Sequence, residues 1–431
     1  MIQEIRITNF MSFKDEVVFS FDATKDTFAE DTQVVKINDK TRLLRFAVVY
    51  GYNASGKSNL LKAFDFLYNF WFRKPNDMND KTGIVPFKLD FHTPSEHTKF
   101  ELVFFVETTK YAYILELDSN QVYSEKLSYY KSEQPTMLFD RQFENGQSVI
   151  EFGSSLKISK VVKENITVNC LKNMSFLAAS NRVNTSIELI DAAKVYLRDR
   201  VSPAIIPSSD LITNAKVWIS EDEKMSAYLL DFLHEADFNI SNIQTESVPK
   251  QLSKAYVEFI SNVIQQHGYS TDALNKLIER NSKEYRTTLF HSVENGNENK
   301  TYQLSLDDGE ESMGTERILG IGVHILQTLR ENWFLTIDEI ETSLHPKLLE
   351  KILFEFLKAK NSQSQLIVTT HNDGLLDLTD DLIRKDSVWF TEKQKNGATD
   401  LYKLTDFRGI NRLSSIREAY RNKRFGATMN D

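Results

Sequence analysis

Apolar and polar positions near the start of the chain predict a strand, a loop and a helix in succession. Residues 2–10 alternate like a half-buried strand, and residues 17–21 can pair with them. Residues 43–50 (LLRFAVVY) form an apolar run typical of a buried strand. Residues 58–72 then repeat apolar side chains at helical spacing, so a short glycine-containing loop joins the buried strand to a helix.

The middle of the chain changes from strand-like to helical patterning. Short β-like runs separated by turn residues predict an antiparallel meander at residues 100–107, 111–117, 122–130 and 136–139. From about residue 158 to residue 300 the spacing is mostly helical, most clearly at residues 215–235 and 252–278. We therefore expect a small β lobe followed by a mainly helical lobe.

Strand patterns return in the last third of the chain. Residues 302–306, 334–337 and 365–369 are predicted strands around helices at residues 315–331 and 347–358. The predicted fold class is α/β, with a core that is discontinuous in sequence, an antiparallel β lobe and a helical insertion. The predicted segments are residues 1–157 (first part of the core with the β lobe), 158–300 (mainly helical insertion) and 301–431 (second part of the core).

Composition narrows the class of protein. The chain has 431 residues, of which 41% are hydrophobic and 26% charged, as expected of a globular protein with one large core or two smaller ones. The absence of an apolar run of signal-peptide or membrane-spanning length predicts a cytoplasmic protein without membrane contact. A net charge of −9 argues against coating nucleic acid through overall charge. The single cysteine, Cys170, excludes an internal disulfide, and we interpret it as a buried structural thiol.

The loop after the apolar strand carries a phosphate-binding motif. Its sequence GYNASGKS matches GxxxxGK[ST], in which glycines let backbone N–H groups converge on phosphate oxygens at a helix N-terminus. Lys57 is predicted to reach the β- and γ-phosphates and Ser58 to bind Mg²⁺, so the expected cofactors are ATP and Mg²⁺. The predicted nucleotide-binding residues of this segment are Gly51, Asn53, Ala54, Ser55, Gly56, Lys57, Ser58 and Asn59.

Two adjacent carboxylates follow a second apolar strand, WFLTI at residues 333–337. Asp338 is predicted to hold Mg²⁺, usually through water, because ligands bind at the carboxyl ends of strands in open α/β sheets. Glu339 is the predicted general base, which accepts a proton from the water that attacks the γ-phosphate. The alternative is that the pair simply begins a solvated helix.

A histidine follows the third apolar strand, LIVTT at residues 366–370. His371 is expected at the same sheet edge as Gly51 and Asp338, where a neutral imidazole can hydrogen-bond the γ-phosphate. The alternative for His371 is a structural role, which is the interpretation we adopt for His324 and His345.

A second loop able to bind an anion lies before the acidic strand. Its sequence is ESMGTER, residues 311–317, and it places Ser312 and Gly314 at the start of a predicted helix. Two phosphate-binding loops in one chain require an explanation.

The order of these motifs resembles ABC-type ATPases of the soluble SMC/RecF-like branch, in which the Ser-x-Gly loop is the signature motif. Within that branch the chain is most similar to bacterial abortive-infection ATPases of the RloA type. The segments that carry this resemblance are NFMSFKDEV at residues 9–17, GYNASGKSNLLKA at 51–63, ESMGTERILGI at 311–321, DEIETSLHP at 338–346 and RFGA at 424–427.

The resemblance implies an ATP-linked homodimer or a higher homo-oligomer. The signature loop of one subunit would complete the ATP site of another, so Ser312 and Gly314 would contact the γ-phosphate across the dimer. The chain departs from the family pattern in two ways, because no glutamine can be placed for the usual Q-loop and His345 stands where SMC heads commonly have aspartate.

Three functions are compatible with the sequence. The first is an anti-phage defence ATPase that senses infection and controls a separately encoded nuclease, since only about 60 residues follow His371, too few for a fused nuclease domain. The second is a DNA-structure-binding repair or chromosome-maintenance ATPase, although no long coiled coil is predicted, and the third is the nucleotide-binding subunit of a transporter. The local case for nucleic acid rests on a basic C-terminal set in which residues 417, 421 and 424 are predicted to share a helical face, although partner docking or solvent exposure is the favoured explanation: Arg408, Arg412, Arg417, Arg421, Lys423 and Arg424.

Overall fold

The computed structural model describes residues 1–235, 239–266, 271–295 and 298–427. The chain divides into two compact units. The first contains Met1–Pro207, Glu331–Ile340 and Leu357–Asp431, and the second contains Ser208–Arg330 and Glu341–Phe356. Residues 158–207 thus belong to the first unit, so the compact units divide the chain at places other than the limits of the three segments predicted from the sequence.

The strands are numbered in chain order. They are β1 (Ile2–Thr8), β2 (Val17–Ser20), β3 (Val34–Lys36), β4 (Arg42–Leu44), β5 (Phe46–Tyr50), β6 (Thr98–Val106), β7 (Thr109–Leu117), β8 (Val122–Tyr130), β9 (Pro135–Glu144), β10 (Gln147–Phe152), β11 (Ile240–Pro249), β12 (Lys283–Asn295), β13 (Glu298–Ser305), β14 (Phe334–Ile337), β15 (Gln365–Thr370), β16 (Val388–Lys393) and β17 (Thr399–Lys403).

The α-helices are numbered in the same way. They are α1 (Glu30–Gln33), α2 (Lys57–Phe72), α3 (Lys160–Asn169), α4 (Phe176–Ser180), α5 (Glu188–Asp199), α6 (Ile212–Glu221), α7 (Glu223–Glu235), α8 (Lys254–Gln266), α9 (Thr271–Asn281), α10 (Met313–Glu331), α11 (Pro346–Lys358) and α12 (Ile416–Arg421). Short 3-10 turns lie at Thr93–Ser95, Asp373–Leu378, Lys385–Ser387, Leu404–Asp406 and Ile410–Arg412. Within the described part of the chain, no helix is both long enough and apolar enough to cross a membrane.

The first unit contains an antiparallel sheet in the order β10-β9-β8-β7-β6-β1-β2. Along β7, buried and partly exposed residues alternate, which is the pattern of a sheet with one face on the core and the other toward water. The predicted meander is confirmed, and the predicted pairing of residues 17–21 with the first strand is confirmed by the antiparallel register of β1 and β2.

A second sheet in the same unit has the order β14-β15-β5-β16-β17. Strands β14, β15, β5 and β16 are parallel, and β17 pairs antiparallel with β16 at the edge. Every residue of β5, β14 and β15 is buried, as is usual for parallel strands that are covered on both faces. The predicted α/β class with an antiparallel β lobe is therefore confirmed.

Helix α2 packs its apolar face into a core shared by both sheets. Leu60, Phe64 and Leu67 of this helix are buried beside side chains from the two sheets, among them Phe19 and Phe334. The rings of Phe64 and Phe334 lie 4.8 Å apart between centroids. This packing sets the direction in which the helix leaves the glycine loop. Cys170, also in the first unit, is buried, and burial raises the pKa of its thiol to about 11, in agreement with a structural thiol.

The second unit contains a sheet that the sequence analysis missed. Strands β11, β12 and β13 pair antiparallel in that order, although residues 158–300 were expected to be mainly helical. The prediction that residues 302–306 belong to the α/β core is wrong, because they lie in or directly after β13 of this separate sheet. Aromatic and β-branched residues in β12 (KEYRTTLFHSVEN) were the available signal.

The first of the two long helices predicted in this region is divided. The first is split into α6 and α7 at Asp222, which has an extended backbone. The Asp222 carboxylate accepts hydrogen bonds from the backbone N–H groups of Lys224 and Met225 and so caps a new helix. The second corresponds to α8 and α9, and its residues 267–270 lie outside the described part of the chain.

Candidate functional site

The glycine loop leaves β5 at Tyr50 and enters α2 at Lys57. A Cβ atom on Gly51 would lie 2.4 Å from the hydroxyl oxygens of both Ser55 and Thr391, so no larger residue fits there. Gly56 has a φ of +108°, a backbone conformation that side-chain-bearing residues rarely adopt. These two glycines allow the chain to turn tightly between a buried strand and the helix.

Hydroxyl groups from the neighbouring strands hold the loop. The Ser55 and Thr391 hydroxyl oxygens lie 2.7 Å apart, and the Thr399 hydroxyl donates to the Ser55 carbonyl at 2.8 Å. The amide of Asn59 donates to the Ser12 hydroxyl at 2.7 Å. Sequence analysis missed Ser12, Thr391 and Thr399, because nothing in the motif indicates which distant segments will lie beside it.

Lys57 is buried, with 5% of its surface exposed. Its ammonium donates to the carbonyl oxygens of Gly51 at 2.8 Å and Tyr52 at 3.3 Å. The charge of this lysine is therefore held at the centre of the loop whose backbone surrounds it.

Asp338 follows the last residue of β14 and is also buried. Its Oδ1 atom accepts hydrogen bonds from the Ser58 hydroxyl at 3.0 Å and from the Thr369 hydroxyl at 2.5 Å. The fold thus brings together Ser58 and Asp338, two residues predicted to bind Mg²⁺. A hydroxyl and a carboxylate are the oxygen ligands that Mg²⁺ accepts beside phosphate and water, so this pair fits the ion.

Glu339 is half-buried and has a φ of +46°, in the left-handed region. Such a conformation costs roughly 1–2 kcal/mol for a residue other than glycine. Its backbone N–H donates to the Thr369 hydroxyl at 2.8 Å. Thr369 is therefore a single buried hydroxyl that contacts both members of the acidic pair, and sequence analysis missed it. The alternative that the pair begins a solvated helix is wrong, because Asp338 is buried and no helix begins there.

His371 follows β15, which lies between β14 and β5. In the parallel register Thr370 is opposite Tyr50, and Val368 is opposite Ile337. His371, Gly51 and Asp338 therefore follow neighbouring strands at the same sheet edge, as predicted. The His371 side chain is exposed there.

A cavity of about 580 Å³ in the first unit opens beside the glycine loop. It is lined by Asn53, Ala54, Ser55, Gly56, Lys57, Ser58, Asn59 and Glu339, together with Met11, Ser12, Lys62, Val85, Pro86, Phe87, Lys88, Leu89, Lys393 and Gly397. Four lysines and one glutamate give this cavity a net positive lining. Such a lining suits an anionic ligand.

Ser312 and Gly314 belong to the second compact unit, whereas the other predicted site residues belong to the first. Ser312 precedes α10, and its hydroxyl accepts from the backbone N–H of Thr315 at 3.0 Å, which caps the helix. Glu311, directly before it, lies 2.5 Å from the imidazole of His291 on β12. Strand β12 of the sheet formed by β11, β12 and β13 therefore contacts the loop that carries Ser312.

The two histidines interpreted as structural, His324 and His345, have local partners within the second unit. His324 is largely buried, lies beside Trp218 with ring centroids 5.3 Å apart, and has a pKa lowered by burial. His345 accepts a hydrogen bond from the backbone N–H of Lys347 at the start of α11. Both contacts agree with the structural interpretation of these residues.

The basic C-terminal set does not form one helical face. Helix α12 ends at Arg421, so Arg424 lies beyond it. Arg417 and Arg421 both bind the Asp373 carboxylate, at closest distances of 3.0 Å and 2.5 Å. The expected face of residues 417, 421 and 424 is therefore wrong.

A phosphate-binding loop on a parallel sheet, with an acidic pair and a histidine at the same edge, defines a P-loop ATPase. Residues 46–152 and 199–377 match the family described as "AAA domain, putative AbiEii toxin, Type IV TA system". Because the match covers more than half of the chain, the protein belongs to this AAA-domain family.

Two solved structures are similar to the chain at low identity. One is an SMC head domain from Thermotoga maritima, with 14% identity, a TM-score of 0.36, and coverage of 93% of this chain and 98% of that one. The other is an SmcHead bound to the C-winged helix domain of ScpA, with 12% identity, a TM-score of 0.43, and coverage of 97% and 99%. No curated protein sequence matches the chain.

Proposed function

We propose that this protein is an Mg²⁺-dependent ATPase of the ABC type whose ATP binding and hydrolysis drive dimerisation. One observation carries the proposal: the glycine loop and the acidic pair, which are 280 residues apart in sequence, meet through the hydrogen bond between Ser58 and Asp338. A buried carboxylate beside a loop lysine and a positively lined cavity is the arrangement that a nucleoside triphosphate with a divalent cation requires.

In this proposal each residue has a stated task. Lys57 neutralises charge on the β- and γ-phosphates, and Ser58 and Asp338 hold Mg²⁺, which when bound offsets negative charge on the phosphate oxygens. Glu339 accepts a proton from the attacking water as the water oxygen bonds to the γ-phosphorus. The bond from that phosphorus to the bridging oxygen breaks, and ADP and phosphate leave. His371 donates a hydrogen bond to the γ-phosphate.

Ser312 and Gly314 of a second copy complete the site across the dimer. The start of α10 supports this part of the proposal, because it presents backbone N–H groups of a long helix at an exposed loop. The Met313 side chain between the two residues is 74% exposed, which keeps this helix terminus accessible.

We further propose that the ATPase acts in the cytoplasm in bacterial anti-phage defence, as a sensor or scaffold that controls a separately encoded nuclease or toxin. Two lines of support are the resemblance to abortive-infection ATPases of the RloA type and the toxin–antitoxin system in the description of the family. The alternative, a DNA-repair or chromosome-maintenance ATPase, has less support because Arg417 and Arg421 bind carboxylates of the same chain.

The test of the defence role separates the scaffold from the effector. We expect the purified protein to cleave neither DNA nor RNA and to co-purify with a nuclease encoded beside it. We also expect phage-dependent toxicity of the pair to disappear in Lys57→Ala. Nucleic-acid cleavage by the purified chain alone, abolished by Glu339→Gln, would make this chain the effector and refute the scaffold role.

A further inference from the structure

The C-terminal segment of the first unit holds the loop that follows His371. Asp373 lies two residues after the histidine, and its carboxylate accepts hydrogen bonds from Arg417 Nε at 3.1 Å and from Arg421 Nε at 2.5 Å and Nη2 at 3.1 Å. Arg417 also donates to Asp377 at 2.6 Å. Two arginines on one short helix therefore bind one 3-10 turn.

The loop between His371 and this ion-pair cluster is short and tightly turned. The backbone N–H of Asn372 donates to the Thr370 hydroxyl at 3.0 Å, and the Asn372 side chain accepts from the N–H of Gly374 at 3.0 Å. Because these two hydrogen bonds fix the backbone between Thr370 and Gly374, we expect a displacement of Asp373 to move His371.

The same segment also packs against the strand that leads into the glycine loop. The ring of Tyr420 lies 6.0 Å from that of Tyr50 and 5.6 Å from that of Phe390, measured between centroids. The Tyr420 hydroxyl donates to the Ala427 carbonyl at 2.9 Å. Phe425 is buried, with its ring 5.6 Å from that of Phe390 between centroids, so Tyr420 and Phe425 both pack against Phe390 of β16.

Arg417 and Arg421 of this segment form ion pairs with Asp373. Partial burial alone would raise the pKa of Asp373, but hydrogen bonds from Arg421 and Arg417 outweigh it and hold that pKa below its usual value. A carboxylate with a lowered pKa stays ionised throughout the neutral range, and the pairing is lost only as the pH falls through that lowered value. These ion pairs are therefore intact at neutral pH.

We propose that residues 415–427, named here the C-terminal clamp, position His371 for ATP hydrolysis. Asp373 is the positioning residue through which the clamp acts, and Tyr420 supports Tyr50 at the start of the glycine loop. This inference rests on the proposed function, because it assigns a task to the clamp only if His371 serves the γ-phosphate. Arg417 and Arg421, which belong to the basic C-terminal set considered for nucleic-acid binding, bind Asp373 of the same chain instead.

The first test replaces Asp373 with asparagine. Leu375 and Leu376 stay buried after this change, so we expect the turn to remain attached and the protein to fold. A displaced His371 should lower kcat roughly tenfold while KM for ATP changes less than about threefold. Arg421→Gln should give a smaller change in the same direction. Arg412→Gln is the matched control, because Arg412 is exposed and has no ion pair in the described part of the chain.

The second test combines Asp373→Asn with His371→Ala. If Asp373 acts through His371, the double variant should turn over ATP no more slowly than His371→Ala alone, since the group being positioned is already gone. Thermal unfolding of every variant identifies any that fails to fold, and Arg421→Gln then takes the place of Asp373→Asn in the cycle.

The outcomes separate this inference from the proposed function. Wild-type kcat in the Asp373→Asn variant would overturn the clamp while leaving the ATPase assignment intact. The same conclusion follows if adding Asp373→Asn to His371→Ala lowers kcat as strongly as adding it to the wild type. A wild-type protein that hydrolyses no ATP overturns the proposed function, and the clamp with it.

Discussion

Replacing Thr369 with valine removes one hydroxyl that serves both carboxyl-bearing residues of the acidic pair. Thr369 is fully buried, and its hydroxyl donates to Asp338 Oδ1 at 2.5 Å while accepting from the backbone N–H of Glu339 at 2.8 Å. Valine keeps the branched shape that suits β15, so the change isolates the two hydrogen bonds.

The expected cost follows from what each partner loses. A hydrogen bond to a charged group contributes about 1.5–3 kcal/mol, which is the loss at the buried Asp338 carboxylate. The Glu339 N–H loses its acceptor at a cost of about 1–2 kcal/mol, toward the low end because Glu339 is half-buried and water can reach part of this loop. Together these losses predict roughly 2.5–5 kcal/mol of destabilisation of the first unit.

Turnover should fall as well, because Glu339 is held in a left-handed conformation that the lost hydrogen bond helps to maintain. We expect kcat to fall on the order of 10- to 100-fold when the acidic pair is no longer fixed. Urea unfolding measures the first effect and steady-state ATP hydrolysis the second. Thr369→Ser is the matched control, since it keeps the hydroxyl and should stay within about 1 kcal/mol of wild type.

A Thr369→Val variant that unfolds within about 0.5 kcal/mol of wild type and retains kcat within about twofold would refute the role assigned to this hydroxyl. That result would mean that Asp338 and Glu339 hold their positions without this hydroxyl. A loss in Thr369→Ser as large as that in Thr369→Val would mean that the threonine methyl group, which valine keeps, contributes as much to stability as the hydroxyl.

Three further predictions test the proposed site. Lys57→Ala should weaken ATP binding about 10- to 100-fold, because a charge-assisted contact to phosphate is lost. Titration with a fluorescent ATP analogue measures the affinity, and an unchanged affinity would contradict the prediction. Glu339→Gln should still bind ATP but lose roughly 10²–10⁴-fold in kcat and accumulate a dimer in size-exclusion chromatography; undiminished hydrolysis would remove Glu339 as the base. Mixing Lys57→Ala with Ser312→Ala should recover part of the activity, since one site of a mixed dimer is intact, whereas no recovery in verified mixed dimers would place a complete site within one subunit.

Residues 51–58 and 333–339 could be predicted from sequence as candidate site segments because each is a contiguous pattern. A glycine loop between a buried strand and a helix, and two carboxylates directly after an apolar run, are contiguous patterns whose function depends on neighbours in the chain. The position of His371 at the same edge followed from the rule that parallel strands end together, and the register of β14, β15 and β5 agrees with it.

The sheet formed by β11, β12 and β13 was missed for a physical reason. Its strands carry many polar residues, so the alternation that marks a half-buried strand is weak, while α6 to α9 around it dominate the local periodicity. Strand pairing is a long-range event, and Thr287 on β12 meets Thr245 on β11 across 42 residues.

Tertiary structure alone decided which distant side chains support the site. The sequence by itself predicted Ser58, Asp338 and Glu339 as site residues, whereas Thr369, Thr391 and Thr399 contact the predicted site only because the sheet order places their strands beside the loop. Likewise, six basic residues near the end of the chain were considered for nucleic-acid binding, with partner docking or solvent exposure favoured, whereas in the fold Arg417 and Arg421 bind Asp373 of the same chain. Hydroxyl and charge pairings of this kind join atoms about 3 Å apart on residues that lie 30 to 344 positions apart in sequence, and no local pattern encodes them.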